Sequence, residues 1–182
     1  FLHRLAATTH KRYLVLAPTG IAALNARGVT LHSQFQLPFG AFVPERHLPA
    51  DLGEYGAYID QHTLASRHAM NALRRAVLRE VDLLVIDEVS MLRADLLDAV
   101  DQRMRSAKGS ARSFGGAQLL LIGDLFQLPP VVKDSEREVM RRWYPSMHFF
   151  SSRALQQAGY VHIELDRIFR QHDDRFIAIL NN

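Results

Sequence analysis

With 182 residues, 48% of them hydrophobic, and a net charge of only +3, the chain can bury one sizeable core, and its charge alone does not identify a polyanionic partner. Cysteine is absent, which excludes disulfides, Cys-ligated zinc and thiol catalysis and is compatible with an intracellular, reducing location (cytoplasmic in a bacterium, nuclear or mitochondrial in a eukaryote). The nine histidines form no His-Glu-x-x-His or similar spacing, and no apolar run approaches the roughly 20 residues that cross a bilayer, so no membrane partner is expected.

In chain order, residues 1–9 place Phe1, Leu2, Leu5 and Ala6 at helical spacing and stop against His10-Lys11-Arg12. Residues 13–17 read as a strand, Pro18-Thr19-Gly20 breaks it, and 21–25 opens a short helix. Val29-Thr30-Leu31 is strand-like and leads into His32-Ser33. Residues 36–61, with Pro38, Gly40, Pro44, Pro49, Gly53 and Gly56, are irregular and read as an insertion or small subdomain. A helix is expected over 64–79, with Leu64, Met70, Leu73, Val77 and Leu78 as its apolar stripe. Residues 83–86 are an unbroken aliphatic run, the pattern of a strand buried on both faces. A helix follows over about 91–104, carrying Leu92, Leu96, Ala99, Val100 and Arg103 at helical spacing, and Gly109 closes the segment. Residues 118–122 read as a second buried strand, 138–143 as helix before Pro145, 161–165 as a strand and 175–180 as the start of a helix. Strands alternating with helices define an α/β domain with a mainly parallel sheet flanked by helices.

The chemistry is concentrated where these strands end, since the carboxyl edge of an open α/β sheet forms the ligand crevice. Asp87 and Glu88 follow the 83–86 strand. One carboxylate of such a pair can hold Mg²⁺ and the other can orient or deprotonate a water, the Walker B pattern of a nucleoside triphosphatase. The alternative is that the pair only caps the helix starting near Ser90, whose first turn favours negative charge. Pro18-Thr19-Gly20 makes a small-residue turn whose N–H groups can meet an anion or a phosphodiester, or simply joins strand to helix. The Thr30–Phe35 loop gathers hydroxyl, imidazole and ring, a mixture suited to a single-stranded nucleic-acid track; His32 could equally be an ordinary surface residue. Gly123-Asp124-Leu125-Phe126-Gln127-Leu128-Pro129-Pro130 forms a stiff turn expected to project Gln127 into the crevice with Asp87 and Glu88. Its amide can bond a γ-phosphate or the attacking water, or only satisfy loop carbonyls. Arg170, just past the 161–165 strand, can reach a triphosphate as an arginine finger.

Together these segments resemble the Pif-type 5′-to-3′ DNA helicases of superfamily 1B, relatives of the RecD helicases. Residues 15–42 look like motifs Ia and Ib, 83–101 like motif II, 115–132 like motif III and 161–180 like motif IV. The specific part is Asp87-Glu88-Val89-Ser90-Met91 together with the Gly123–Pro130 run. The resemblance implies a RecA-like P-loop NTPase domain that uses ATP and Mg²⁺ and acts on single-stranded DNA and DNA junctions. By it, Asp87 handles the metal, Glu88 is the general base, Gln127 senses the γ-phosphate and Arg170 reaches the phosphates. Pro18, Thr19, Gly20, His32 and Ser33 would hold the DNA strand. Residues 1–165 would be most of a first motor domain, with part of a wedge-like subdomain within 36–61, and 166–182 the start of a second. The family's Gly-x-x-x-x-Gly-Lys-[Ser/Thr] loop is missing from the 182 residues, and 1–9 look like the helix that would follow it. The leading expectation is therefore an ATP-dependent DNA helicase motor. The alternatives are a non-enzymatic single-strand-binding or scaffold domain on the same fold, and a nucleotide kinase, against which the Gln127 turn and His32-Ser33 argue.

Overall fold

The aliphatic runs become the strands of one sheet in the computed structural model, which describes residues 10–52 and 58–165. The elements in chain order are β1 (Tyr13–Ala17), α1 (Gly20–Asn25), β2 (Val29–Thr30), α2 (Leu31–Phe35), β3 (Ala41–Phe42), β4 (Tyr58–Ile59), α3 (Gln61–Ser66), α4 (Ala72–Glu80), β5 (Leu83–Ile86), α5 (Ala94–Lys108), β6 (Gln118–Leu121), α6 (Asp134–Met140) and α7 (Arg153–Ala158). The main sheet has the order β2-β1-β5-β6 and is parallel throughout. Helices cover it, the expected RecA-like α/β arrangement with a mainly parallel sheet.

β5 is central, and all four of its residues are buried. Because alternate residues of a strand face opposite sides, Leu84 and Ile86 join Leu16, Leu78, Leu97, Val100 and Met104 in one core, while Leu83 and Val85 pack with Val15 on the other face. Burying each of these side chains contributes roughly 1.5–3 kcal/mol. α5 is the main buttress. It carries ten buried residues and ends where Gly109 takes the left-handed conformation at φ 59°. Arg103 lies buried on it and donates to the carbonyls of Gln36 and His68; burial lowers its guanidinium to about 10.

Within 36–61, β3 and β4 pair in parallel with register Ala41↔Tyr58 and Phe42↔Ile59. Ala41, Val43 and Leu52 pack with Ala94, Met140, Tyr144 and Met147 in a second cluster.

Several expectations are corrected. The helix expected over 64–79 is two helices, α3 and α4. Between them the His68 carbonyl accepts from Arg103, the Asn71 N–H donates to the Gln36 side chain, and the Asn71 side chain caps α4 by accepting from the Arg74 N–H. Long-range partners replace the intrahelical bonds there. Of the expected stripe, Leu64, Met70 and Leu78 are buried, whereas Leu73 and Val77 are exposed. The helix expected over 91–104 runs three residues later at its start and ends at Lys108, because Val89–Met91 forms a 3₁₀ turn first. The Thr30–Phe35 loop is largely the helix α2, with Thr30 as its cap. The second strand, β6, is not buried: among the described residues it pairs with β5 alone and is only half covered. The helix near 138–143 is α6, Asp134–Met140. Residues 161–165 form no strand with any described residue, and Val161, Ile163 and Leu165 are all exposed. The expected helices over 1–9 and 175–180, and Arg170, lie outside the described residues.

Candidate active site at the carboxyl ends of the strands

The register of the sheet delivers its loops to one edge. Leu16 stands beside Ile86, and Ile86 beside Leu121, so Ala17-Pro18, Asp87 and Ile122 leave the sheet at one level. The ladder continues past the strands: Asp87 N–H donates to Leu16 O and Ile122 N–H to Ile86 O, each at 2.9 Å. Then Val89 N–H reaches across to Ile122 O, also at 2.9 Å, tying the acidic loop to the glycine-aspartate loop. Gly123 is required at this crossing, since a Cβ there would sit 2.9 Å from Val89 N and 3.2 Å from Ser90 N. Ala17 pairs with Thr30, so the turn into α2 begins at the same edge.

Asp87 Oδ1 accepts from the Glu88 N–H at 3.0 Å, and its second oxygen accepts no hydrogen bond from the described residues. Glu88 has φ 52° and ψ 44°, a left-handed conformation that costs a non-glycine residue about 1–2 kcal/mol. It stands at the start of the Val89–Met91 turn, and its side chain makes no cap hydrogen bond. Glu88 therefore does not cap this turn through a side-chain hydrogen bond. Ser90 is buried beside them, and among the described residues its hydroxyl has no hydrogen-bond partner.

Asp124 organises the neighbouring turn. Its carboxylate accepts from the Phe126 N–H at 2.9 Å and from Gln127 Nε2 at 3.2 Å, and its carbonyl accepts from the Gln127 N–H at 3.1 Å. Gln127 is exposed, and its carbonyl oxygen accepts no hydrogen bond from the described residues. Phe126 is 99% exposed.

On the adjoining strands, Thr19 caps α1 by accepting from the Ala22 N–H at 3.2 Å, which leaves its hydroxyl proton to donate. Pro18 is half-buried beside it, and Gly20 is exposed with open space where a Cβ would lie. Thr30 caps α2 in the same way through Ser33 N–H, and Ser33 itself is exposed. His32 is half-buried and stacks on Phe39 with ring centroids 5.6 Å apart. Burial, and then the nearby Arg93 charge, lower its pKa below the ordinary 6.5, Asp95 opposing. The imidazole is thus kept neutral.

Among the described residues no group of three His, Cys, Asp or Glu could enclose a metal ion. Mg²⁺ that also binds substrate phosphates is held by one or two carboxylates and needs no all-protein cage. Asp87, whose Oδ2 accepts no hydrogen bond from the described residues, has the donor chemistry for it.

The family model described as PIF1-like helicase matches residues 57–177. This chain belongs to the PIF1-like helicase family. It is 36% identical over 168 residues to the ATP-dependent DNA helicase PIF1 of Saccharomyces cerevisiae strain YJM789, covering 92% of this chain and 17% of that protein. The human ATP-dependent DNA helicase PIF1 is 34% identical over 164 residues, covering 90% of this chain and 22% of that protein. Among solved structures, Bacteroides Pif1 bound to ssDNA superposes with a TM-score of 0.85 at 40% identity, over 100% of this chain and 38% of that one. The Bacteroides Pif1 complex with ADP-AlF3 and ssDNA gives 0.84 at 40% identity, over 100% and 38%. The chain thus spans about a fifth of the length of the curated relatives it matches.

Sequence reasoning overlooked several polar residues of this PIF1-like domain. Arg93 makes a bidentate pair with Asp95, 2.9 Å for each bond, and reaches Glu136 at 2.8 Å. Asp98 accepts from Tyr144 Oη, Ser152 Oγ and the N–H groups of Arg153 and Ala154. One signal was available: Asp95, Asp98 and Asp101 recur every third residue, which puts them on one side of a helix that otherwise buries apolar groups.

Proposed function

We propose that this chain forms the water-activating and strand-gripping part of an ATP-dependent DNA helicase, which hydrolyses ATP to move 5′-to-3′ on single-stranded DNA and open duplexes and junctions. The support is the register of β1, β5 and β6, which brings the Asp87-Glu88 loop against the Gly123–Gln127 turn with the Thr19 and Thr30 turns beside them. The Bacteroides relative is described with ADP-AlF3 and ssDNA, and the same two ligand classes are assigned to this chain.

In this reading Glu88 accepts a proton from the water that attacks the γ-phosphorus, giving ADP and phosphate. Its backbone is left-handed and its side chain makes no cap hydrogen bond to the next turn, which supports a carboxylate kept for the water. Gln127 orients the water or the γ-phosphate through its free carbonyl oxygen and its amide, on a turn already closed by Asp124. Asp87 would hold Mg²⁺, which neutralises charge on the β- and γ-phosphates when bound. Arg170 is assigned to the phosphates as a charge stabiliser. Pro18, Thr19, Gly20, His32 and Ser33 hold the strand, through hydroxyl and N–H contacts to its phosphates and the His32–Phe39 stack, of which Phe39 is exposed.

The test uses the complete gene product containing these 182 residues. Glu88→Gln is expected to lower ATP turnover by about 10³-fold or more while ATP and oligonucleotide binding persist. Turnover near the unaltered level would remove Glu88 from the base role. Oligonucleotide affinity should fall steeply with salt, as phosphate contacts require. Displacement of a duplex from 5′-tailed but not 3′-tailed substrates checks the polarity. Residues 1–182 alone, which contain no Gly-x-x-x-x-Gly-Lys loop, are expected to turn over little ATP; robust turnover would show that the anchor is dispensable.

A further inference from the structure

Arg93 stands at the start of α5, where the turn that begins at Glu88 becomes the main buttress of the sheet. It is the N-cap residue, yet its side chain makes no cap hydrogen bond. The guanidinium turns back instead, with Nε and Nη2 on the two oxygens of Asp95 and Nη1 on Glu136, and only 18% of it is exposed. Each partner belongs to a different segment of the site. Glu136 is on α6, the helix that follows the Gln127-Leu128-Pro129-Pro130 turn. Asp95 Oδ2 also accepts from the Phe42 N–H of β3 at 2.9 Å. The backbone is pinned as well: Arg93 bridges to His148, and Ala94 N–H donates to Met147 O at 2.8 Å.

Arg93 and Asp95 also line a cavity of about 160 Å³ together with His32, Phe39, Gly40 and Phe42. His32 and Phe39 are the stacked pair on the side assigned to DNA. A force on that stack therefore meets a planar, doubly bonded guanidinium whose third arm holds the helix behind the Gln127 turn. A bidentate arginine pair resists rotation and shear in a way that a single contact does not.

We propose that Arg93, through Asp95 and Glu136, is a positioning residue that transmits occupancy of the His32–Phe39 face by single-stranded DNA to the Gln127 turn and the Asp87-Glu88 loop. It touches neither nucleotide nor strand. Its role is to keep the β3 wall, the start of α5 and α6 moving as one body, so that a bound strand sets the geometry for water attack. This rests on the helicase reading above.

The experiment compares Glu136→Ala, Glu136→Gln, Arg93→Lys and Arg93→Ala with the unaltered complete gene product. ATP turnover is measured with and without saturating oligothymidylate, together with KM for ATP, the half-saturating oligonucleotide concentration and the thermal midpoint. Glu136→Ala leaves the Arg93–Asp95 pair in place and so keeps the test open if Arg93→Ala does not fold. It is expected to lower DNA-stimulated kcat about tenfold, as expected for a reacting group displaced by a fraction of an ångström. Unstimulated kcat, KM and half-saturation should all stay within about twofold. Glu136→Gln, which keeps an acceptor for Nη1, should restore most of the stimulation, and Arg93→Lys, which lacks the planar fork, should not. DNA stimulation equal to the unaltered protein in folded Glu136→Ala would overturn the proposal. So would a proportional loss of stimulated and unstimulated rates, which signals a merely structural role. If the unaltered protein itself hydrolyses no ATP with DNA present, the helicase reading fails first and the link fails with it.

Discussion

The acids of α5 and the acids at the strand ends are the same residue types within a short stretch of chain, and the fold treats them oppositely. Asp95, Asp98 and Asp101 are buried, and each accepts a hydrogen bond from another segment of the chain: Phe42 for the first, Tyr144 and residues 152–154 for the second, Phe114 for the third, with Arg93 and Arg105 adding local bonds to the first and the third. Burial raises the Asp101 carboxyl despite these bonds, and it pushes the Tyr144 phenol, next to Asp98, well above its ordinary value. Asp87 accepts one bond from its own neighbour, and Glu88 accepts none among the described residues. A buried carboxylate with both oxygens engaged organises structure, whereas a partly exposed one beside a strained backbone keeps its capacity for a ligand.

The largest effect that would break this contrast is on chemistry. Asp87→Asn should lower magnesium-dependent ATP turnover about a hundredfold or more in the complete gene product, since the proposed metal contact and its charge would be lost. Its unfolding midpoint should stay near that of the unaltered protein. A large loss of stability would place Asp87 with the structural acids instead.

Next comes stability. Asp98→Ala strands the Tyr144 hydroxyl, the Ser152 hydroxyl and two N–H groups in a buried site, so unfolding free energy should fall by about 3–4 kcal/mol. Denaturant unfolding measures this, and the fraction that stays folded should keep its kcat. A loss below about 1 kcal/mol would mean the network is not acting as a unit.

The two groups also differ in how far the sequence reveals them. β1 and β5 are legible residue by residue, because an aliphatic run in a buried parallel strand answers only to its own pattern. Asp87, Glu88 and Gln127 could be singled out because they follow such runs in short motifs. The Arg93 hub could not, since Glu136 is 43 residues away and the Phe42 N–H lies 53 residues from Asp95. The same long-range bonding hid the break between α3 and α4, where Arg103 and Gln36 supply partners that no helical period announces. The strand expected over 161–165 shows the converse: its alternation of Val161, Ile163 and Leu165 is real, but among the described residues it meets no neighbouring edge to pair with.

His32 sharpens the comparison by pH, because it lies between the two groups: half-buried, stacked on Phe39 and facing Arg93. Its pKa in the fold is depressed below 6.5, chiefly by burial, so the folded state binds its proton less readily than the unfolded chain. The stability it contributes is complete above pH 6.5 and is lost as pH falls through the lower folded value. His32→Gln should flatten that part of the pH dependence. Denaturant midpoints at about pH 7.5 and about pH 5.5 for the two proteins measure the difference, and parallel slopes would mean the imidazole is solvated in the fold.

The smallest expected effect is at the turn that holds Gln127. Phe126 is almost fully exposed there, so it contributes little burial to lose, and Asp124 holds the turn through the backbone N–H of residue 126 irrespective of its side chain. Phe126→Ala should therefore change unfolding free energy by no more than about 0.5 kcal/mol. Phe35, fully buried in the core, should lose about 3–5 kcal/mol on the same truncation. If Phe126→Ala proved as destabilising as Phe35→Ala, the turn would be packed against the body of the protein, and its exposure could no longer be taken as surface kept open at the edge where Asp87 and Glu88 emerge.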